Sequence, residues 1–296
     1  MAGPTAFIGL GNMGGGMAAN LAARGHAVRA FDLAPTALEK AKAAGCDVAA
    51  SAAEAARGAA TVITMLPAGH HVAGVWREAA FPEAAPGALL IDCSTIDVET
   101  ARTLAGEAEA LGYEAVDAPV SGGIAAAAAG TLTFMVGATD EGFRRAEPIL
   151  AAMGKAVVRA GGHGAGQAAK ICNNMLLAAS MVATSESFAL ARKLGLDPAA
   201  FYDIASRSSG QSWSMTSYCP VPGVGPESPA DRDYRGGFAT ALMLKDLRLA
   251  MAAAGAVGAE TPMGARAAEL YEAFASAGNA DLDFSAIIRT FDRATG

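Results

Sequence analysis

Lys170 and Asn174 are the two polar side chains whose spacing most strongly suggests chemistry. They stand four residues apart in the segment Gly164–Asn174, and neither Gly nor Pro follows its two opening glycines until Gly195. This pattern predicts one long helix over about 164–194, on which residues four apart share a face. A Lys and an Asn in an apolar helix are costly to bury unless they have polar partners. The alternative is the solvated end of a long helix.

A glycine-rich turn near the N-terminus has the pattern of a phosphate-binding loop. The six residues from Gly9 to Gly14 follow a short apolar run and precede a helical stretch. In such loops the first glycine permits a tight turn, the second lets the backbone approach a pyrophosphate, and the third lets the helix pack closely. The helix N-terminus then offers N–H groups to the phosphates. The predicted dinucleotide-binding residues are Gly9, Gly11, Asn12, Met13 and Gly14.

Asp32 is the acid that this fingerprint requires. It ends the predicted strand Val28–Asp32, 18 residues after Gly14. A carboxylate at this place accepts hydrogen bonds from the adenosine ribose and repels a 2′-phosphate. We therefore expect NAD rather than NADP as the cofactor. The alternative is an ordinary glycine turn followed by a surface acid.

Two further short segments carry groups that could bind ligands. The sequence Ser121-Gly122-Gly123 offers consecutive backbone N–H groups and a hydroxyl, which could hold a carboxylate; the alternative is a simple turn. The adjacent His70 and His71 are not accompanied by Cys, His or carboxylates at ligand spacing. We expect no metal site there.

Alternating strands and helices position these groups in the first half of the chain. The predicted strands are Thr5–Leu10, Val28–Asp32, Cys46–Val48, Thr61–Leu66, Ala88–Asp92, Tyr113–Asp117, Leu132–Val136 and Val157–Val158. This alternation indicates a doubly wound parallel sheet, in which ligands bind outside the carboxyl ends of the strands. The Leu66-Pro67 and Ser94-Thr95 loops are thus expected to line the cofactor cleft.

The second half of the chain shows only helical patterns. The predicted helices after the long one are Asp197–Ser206, Ala239–Ala254, Pro262–Ala277 and a terminal piece from Phe284. The segment 208–237 lacks periodicity, and a loop of that length is usually functional or disordered. The predicted fold class is an α/β Rossmann-type dinucleotide-binding domain (1–163) followed by an all-helical C-terminal domain (164–296), joined by a long central helix.

Composition excludes several classes of function. The net charge of −7 argues against nucleic acid or an anionic membrane as a partner. The apolar residues make up 52% of the chain, but no run approaches the roughly 18 uninterrupted residues of a membrane span. The four cysteines are scattered without a C-x-x-C pair, so neither a disulfide framework nor a zinc site is expected. No targeting pattern is recognised at the N-terminus, and we expect a cytoplasmic protein.

Four motifs, in this order, resemble the β-hydroxyacid dehydrogenase family over essentially the whole chain. They are Gly9–Gly14, Asp117–Gly123, Gly164–Asn174 and Lys245–Leu247. The resemblance implies that Lys170 is the catalytic lysine and that Asn174, Ser121, Gly122 and Gly123 hold the substrate hydroxyl and carboxylate. It also implies that Lys245 lies beside the nicotinamide and that the cofactor cleft is lined by Leu66, Pro67, His71 and Thr95. From the residues alone, Lys245 and Asp246 could equally be a half-exposed charge step on a helix.

Similarity within the family points to one substrate. The stretches Trp213-Ser214, Tyr218–Val224 and Tyr234–Phe238 are similar to those of members that oxidise 3-hydroxyisobutyrate to methylmalonate semialdehyde in valine breakdown. Trp213 and Phe238 then contact the substrate or only pack. Tartronate or succinic semialdehyde reduction is the alternative, and a non-catalytic dinucleotide-binding sensor is a remote one. The resemblance further implies a homodimer or homotetramer that uses the helical domain as its interface.

Overall fold

The computed structural model describes residues 3–291, so residues 292–296 of the predicted second domain lie outside the described residues. The chain divides into two compact units, one ending at Lys170 and the other beginning at Ile171. The division falls inside a single continuous helix, Ala165–Lys193.

The first unit contains a nine-stranded sheet. Its strands are β1 (Thr5–Ile8), β2 (Val28–Phe31), β3 (Asp47–Val48), β4 (Thr61–Thr64), β5 (Leu89–Asp92), β6 (Glu114–Asp117), β7 (Val120–Ser121), β8 (Leu132–Gly137) and β9 (Gly154–Gly161). The first six form a parallel sheet in the order β3-β2-β1-β4-β5-β6. Strand β8 runs antiparallel to β6 and β7, and β9 runs parallel to β8. The order reverses beside β1, which is where such sheets bind ligands.

The central strands are apolar on both faces because helices cover both. Successive side chains of a strand point to opposite faces, so Phe7 of β1 packs in one core cluster while Ala6 and Ile8 pack in another. In β4, Ile63 and Val62 divide in the same way. The helices of this unit are α1 (Gly14–Ala23), α2 (Pro35–Ala43), α3 (Ala52–Ala56), α4 (Gly69–Val75), α5 (Phe81–Glu83), α6 (Val98–Ala110), α7 (Gly123–Ala129) and α8 (Asp140–Ala151). The α/β part of the predicted fold class is confirmed.

The second unit is helical. Beyond α9 (Ala165–Lys193), its helices are α10 (Pro198–Ala205), α11 (Trp213–Thr216), α12 (Thr240–Val257) and α13 (Pro262–Phe274), with 3₁₀ turns at Pro229–Arg232 and Phe284–Thr290. Between residues 171 and 291 there is no strand, and the only bridge is an isolated one between Ala239 and Asp283. Its core includes Phe188, Met243 and Tyr271. The long helix and the all-helical second part are therefore confirmed.

Several elements of the first unit, including the short strand β7 (Val120–Ser121), are absent from the sequence-based prediction. Helix α4 continues through a π-helical turn, Trp76–Ala80, into α5, although the glycines and Pro67 of this region suggest a loop. Helix α7 follows directly on Gly122, in the segment predicted to be a carboxylate-binding site or a simple turn. Strand β9 is also longer than the predicted pair Val157-Val158.

Candidate functional site

The glycine loop between β1 and α1 has the steric form of a phosphate-binding turn. Gly9 has φ 97°, and a Cβ there would lie 2.3 Å from the Met65 carbonyl oxygen. A Cβ on Gly14 would lie 1.9 Å from the Gly9 carbonyl oxygen. A Cβ on Gly11 would meet no protein atom within 4 Å. The first and third glycines are therefore required by the protein's own packing, while the second faces open space.

The first turn of α1 is suited to an anion. No side chain caps this turn, which begins after Met13. The Gly15 N–H donates to the Gly11 carbonyl at 3.2 Å, while the other N–H groups of this turn and the positive end of the helix dipole suit a phosphate. Asn12 in the same loop is exposed and Met13 is half-buried. These residues fit the pyrophosphate of a dinucleotide.

Asp32 holds the glycine loop in place. Its Oδ2 accepts a hydrogen bond of 2.6 Å from the N–H of Leu10, and its Oδ1 accepts one of 2.8 Å from the N–H of Ala34. A carboxylate can accept about four hydrogen bonds, so capacity remains for ribose hydroxyls. Asp32 thus has a structural role that the fingerprint alone does not reveal.

A buried carboxylate joins the two loops predicted to line the cofactor cleft. Asp92 Oδ1 accepts hydrogen bonds from the hydroxyls of Thr64 (2.8 Å) and Ser94 (2.6 Å). Ser94 Oγ in turn accepts the N–H of Leu66 at 2.8 Å. The loops after β4 and β5 are therefore fixed to each other. Pro67 and Thr95 lie in these loops; Pro67 is exposed and Thr95 is half-buried.

The start of helix α9 is bonded to the end of β6. Asp117 accepts the N–H of Gly164 at Oδ1 (2.7 Å) and the N–H of Gln167 at Oδ2 (2.9 Å). A Cβ on Gly166 would lie 2.4 Å from the Met135 carbonyl oxygen, so the helix rests directly on the sheet. Burial raises the pKa of Asp117 to about 6, although the two N–H groups favour its ionised form.

Gln167 joins this helix start to the loop after β5. Its side-chain Nε2 donates to the Ser94 carbonyl at 2.8 Å, and its Oε1 accepts the N–H of Ile96 at 3.1 Å. The side chain is fully buried. The Gln167 amide is therefore hydrogen-bonded to the residue before Thr95 and to the residue after it.

Lys170 and Asn174 are both buried, one turn apart on α9. Lys170 is the last residue of the first unit. In the second unit, Asn174 Nδ2 donates to Asp246 Oδ2 at 2.5 Å, and Lys245 Nζ lies 3.8 Å from Asp246 Oδ1. The interpretation of Lys245-Asp246 as a half-exposed charge step is therefore wrong for Asp246, whose side chain is buried.

The Ser121-Gly122-Gly123 segment connects β7 to α7. Gly122 and Gly123 have φ of 136° and 72°, a backbone that L side chains rarely adopt. Ser121 is half-buried and both glycines are exposed. Helix α7 is held against helix α1, because Asn20 Nδ2 of α1 donates to the Ala127 carbonyl at 2.8 Å. The segment thus presents a hydroxyl and a helix start on a supported backbone.

Trp213 and Phe238 belong to one aromatic stack in the second unit. Trp213 stacks on Tyr218 with ring centroids 4.8 Å apart, and Tyr218 stacks on Phe284 at 5.4 Å. Phe238 meets Phe284 edge-on at 5.8 Å. The buried Asp283 accepts the Tyr218 hydroxyl (2.9 Å) and the Phe238 N–H (2.7 Å). Both predicted residues therefore pack, and Trp213 remains 50% exposed.

The two adjacent histidines are exposed near the start of α4. The rings of His70 and His71 lie 3.9 Å apart and tilted by 41°. Across residues 3–291, no three His, Cys, Asp or Glu side chains are grouped so that they could hold a metal ion. None of the described helices is long and apolar enough to cross a membrane.

Sequence reasoning missed the residues that support the predicted ones. Asp92 and Gln167 were given no role, Ser94 was named only as part of its loop, and Asp246 was named only as the neighbour of Lys245. Asp92 could have been found because it ends a buried strand at the carboxyl edge of the sheet. Gln167 could have been found because it lies three residues before Lys170, on the same face of the helix.

Two family models together cover nearly the whole chain. The model described as the NAD binding domain of 6-phosphogluconate dehydrogenase matches residues 4–162. The model described as the NAD-binding domain of NADP-dependent 3-hydroxyisobutyrate dehydrogenase matches residues 164–291.

Individual relatives match over almost their full length. The 3-hydroxyisobutyrate dehydrogenase of Pseudomonas aeruginosa is 51% identical over 290 residues, which is 97% of each chain. The NAD-dependent L-serine dehydrogenase of the same organism is 47% identical over 293 residues, 98% of each chain. The solved structure of Mycobacterium tuberculosis 3-hydroxyisobutyrate dehydrogenase with L-serine superposes with a TM-score of 0.95 at 49% identity, covering 99% of this chain and 100% of that one.

Proposed function

The chain belongs to the β-hydroxyacid dehydrogenase family, and from that premise we propose that it oxidises 3-hydroxyisobutyrate to methylmalonate semialdehyde in valine breakdown. The observation that carries this proposal is about half identity, over almost the whole length, to relatives named for that activity. The cofactor of the family is NAD(P), and we propose NAD for this chain because of Asp32. The cytoplasm remains the expected compartment, and a homodimer or homotetramer the expected assembly; cell fractionation and sizing of the purified protein test them.

The proposed roles follow from the chemistry of each group. The N–H groups and hydroxyl of Ser121-Gly122-Gly123 bind the substrate carboxylate, and the Asn174 amide orients the alcohol. Lys170 Nζ accepts the proton of the substrate hydroxyl. At the same time the C–H bond of the carbon that bears this hydroxyl breaks, and that carbon becomes the carbonyl carbon. The bound nicotinamide supplies the carbon that accepts the hydride.

Lys245 and the aromatic residues complete the proposed set. Asp246 accepts from Asn174 Nδ2, and Asn173 Nδ2 donates to Asn174 Oδ1 at 3.0 Å, so the amide is fixed on both sides. The second lone pair of Oδ1 and the second N–H of Nδ2 are the groups proposed to meet the alcohol. Lys245 contributes positive charge beside the cofactor. Leu66, Pro67, His71 and Thr95 line the cofactor cleft, and Trp213 and Phe238 contact the substrate through the faces that the aromatic stack leaves uncovered.

L-Serine oxidation is the second candidate. It is favoured by the relative named an L-serine dehydrogenase and by the M. tuberculosis structure with L-serine. Serine and 3-hydroxyisobutyrate share a carboxylate and a primary alcohol but differ in the group on the carbon between them, an ammonium or a methyl. Selection between them therefore depends on whether that group meets polar or apolar side chains.

The test is NAD and NADP reduction by the purified protein with 3-hydroxyisobutyrate, L-serine, glycerate and 4-hydroxybutyrate. The highest kcat/KM with 3-hydroxyisobutyrate and NAD supports the proposal. Preference for L-serine establishes the second candidate, and preference for glycerate or 4-hydroxybutyrate indicates a tartronate or succinic semialdehyde reductase. Dinucleotide binding without turnover of any hydroxyacid would indicate the non-catalytic sensor.

Gly11→Ala should weaken NADH binding by about tenfold or more without loss of stability. The added methyl meets no protein atom within 4 Å, but it occupies the space through which the backbone approaches a pyrophosphate. Titration of NADH fluorescence and urea unfolding measure the two effects. Gly106→Ala, in helix α6 and equally free of protein contacts, is the matched control. Unchanged NADH affinity in Gly11→Ala would place the pyrophosphate elsewhere.

The double variant Asp32→Asn with Leu33→Arg should shift the preference between NADP and NAD by about tenfold or more toward NADP. The change removes the repelling carboxylate and adds a guanidinium that can pair with a 2′-phosphate. Leu33 is 90% exposed, so the arginine has room. The ratio of kcat/KM for the two cofactors is the measurement. Leu33→Gln alone is the control, and an unaltered ratio in the double variant would remove Asp32 from cofactor selection.

A further inference from the structure

We propose that Gln167 is a positioning residue that keeps Lys170 in register with the cofactor-lining loop at Thr95. The proposal rests on the proposed function, because it requires that Lys170 moves the substrate proton. Gln167 itself contacts neither substrate nor cofactor in this proposal. It acts through the loop on one side and the helix on the other.

The loop side of this link is the pair of bonds that span Thr95. Gln167 donates to the carbonyl of Ser94 and accepts the N–H of Ile96, at 2.8 and 3.1 Å. A single amide that binds the residues before and after Thr95 fixes the backbone of Thr95 without touching its side chain. Because Gln167 is fully buried, loss of the amide would leave a buried donor and a buried acceptor unpaired.

The helix side of the link is the rigid start of α9. The Gln167 N–H is bonded to Asp117, and Gly166 rests against the Met135 carbonyl. Lys170 follows Gln167 by three residues, so both lie on the same face of the helix. A shift of the helix at Gln167 would therefore also move Lys170.

The predicted consequence is a defect in turnover rather than in substrate binding. The proposed carboxylate site at Ser121-Gly122-Gly123 is on other elements, so the KM for the hydroxyacid should change little. A misplacement of reacting groups by about 1 Å can cost up to about 100-fold in rate. We expect Gln167→Met, which keeps the length of the side chain and removes both bonds, to lower kcat by about tenfold.

Gln167→Glu provides a variant that should recover as the pH falls. A protonated glutamic acid can donate to the Ser94 carbonyl and accept the Ile96 N–H, as glutamine does, whereas a carboxylate would face the Ser94 carbonyl. Burial and the Asp117 carboxylate, which accepts the N–H of residue 167, favour the protonated form, and a charged Lys170 one turn further along the helix opposes it. The kcat of Gln167→Glu, relative to wild type at the same pH, should therefore rise toward the wild-type value as the pH is lowered from 8 to about 5.5.

The experiment compares the full-length wild type, Gln167→Met and Gln167→Glu with a control, Tyr113→Phe. The control removes a hydrogen bond of 2.8 Å from the Tyr113 hydroxyl to the Phe81 carbonyl in the same unit. The measurements are kcat and KM with NAD and 3-hydroxyisobutyrate, the pH profile of kcat, and hydrogen exchange of the Ile96 amide without cofactor. In Gln167→Met we expect faster exchange of the Ile96 amide and an unchanged KM for 3-hydroxyisobutyrate. In Tyr113→Phe we expect the wild-type kcat.

Three results would overturn the proposal. One is unchanged Ile96 exchange in Gln167→Met, which would mean that the link is not formed. Another is wild-type kcat despite faster exchange, which would mean that the link does not position Lys170. If Gln167→Met does not fold, a pH-independent kcat defect in Gln167→Glu would overturn the proposal instead. A wild-type protein that turns over no hydroxyacid refutes the proposed function and this inference together, and the wild-type assay identifies that case.

Discussion

Replacement of Lys170 by alanine is expected to lower kcat by about 100- to 10,000-fold while NAD still binds. This range is the usual contribution of a positioned proton donor or acceptor, and Lys170 is the only group to which we assign the transfer of the hydroxyl proton. The side chain is buried, so Lys170→Met, which keeps the apolar stem, is measured alongside. Steady-state turnover of 3-hydroxyisobutyrate gives kcat, and NADH fluorescence gives cofactor affinity.

The same helix supplies a control for this prediction. Lys193 is exposed at the last residue of α9, and Lys193→Ala should leave turnover unchanged. If Lys170→Ala and Lys170→Met both bind NAD and retain near-normal turnover, the proton is transferred by another group. Loss of NAD binding in both variants would instead assign Lys170 to the cofactor.

Ionisation of Asp117 is expected to change the stability of the folded protein by about 2 kcal/mol between pH 7.5 and pH 4.5. Its pKa is about 6 in the folded state, against 3.8 for an ordinary aspartate, because burial disfavours the charge. The folded state therefore holds the proton more tightly, and the contribution of Asp117 to stability is greatest below pH 3.8 and is lost as the pH rises through 6. The figure is about 1.4 kcal/mol per pH unit, taken over the roughly 1.5 units between pH 4.5 and the folded-state pKa of about 6.

Asp117→Asn is the reference for this measurement because it keeps the shape and removes the ionisable group. Urea unfolding of both proteins at pH 4.5, 6 and 7.5 gives the difference in unfolding free energy. That difference should favour the wild type more at pH 4.5 than at pH 7.5, whatever its absolute value. A difference that is constant with pH would show that Asp117 is not protonated in the folded protein in this range.

The fold could be predicted from sequence because its signals are local. Strand β4 is a short apolar run closed by Pro67, and α9 is an uninterrupted stretch of helix formers between glycines. Helix α7 was missed although five consecutive alanines precede Gly130, because the glycines before them suggested a turn. Glycines obscure the helical pattern of α4 and its π-helical continuation in the sequence. The pattern is nevertheless present, because Val72, Trp76 and Ala80 are buried at helical spacing.

The sequence predicted the residues that are proposed to contact ligands, but not the buried residues that support them. The residues proposed to contact ligands could be chosen from motifs, and their roles remain predictions. The groups that support them pair across long separations: Gln167 and Ile96 are 71 positions apart, and Asn174 and Asp246 are 72 apart. Periodicity and capping patterns describe neighbours within a few turns. They carry no information on which buried carboxylate or amide a distant loop will meet.

The position of Lys170 at the end of the first unit has a consequence for how the two halves can be inherited. The family models meet between residues 162 and 164, but Asp117 and Gln167 bind the first turns of α9 to the sheet. A crossover at residue 163 would separate the lysine from the groups that hold it, whereas one after Lys170 would keep them together. Under the proposed roles, the proton-transfer group is then inherited with the cofactor loops. Asn174 and the aromatic stack belong to the second unit, so under the same roles its replacement would change the groups that orient the alcohol and contact the substrate while Lys170 is retained.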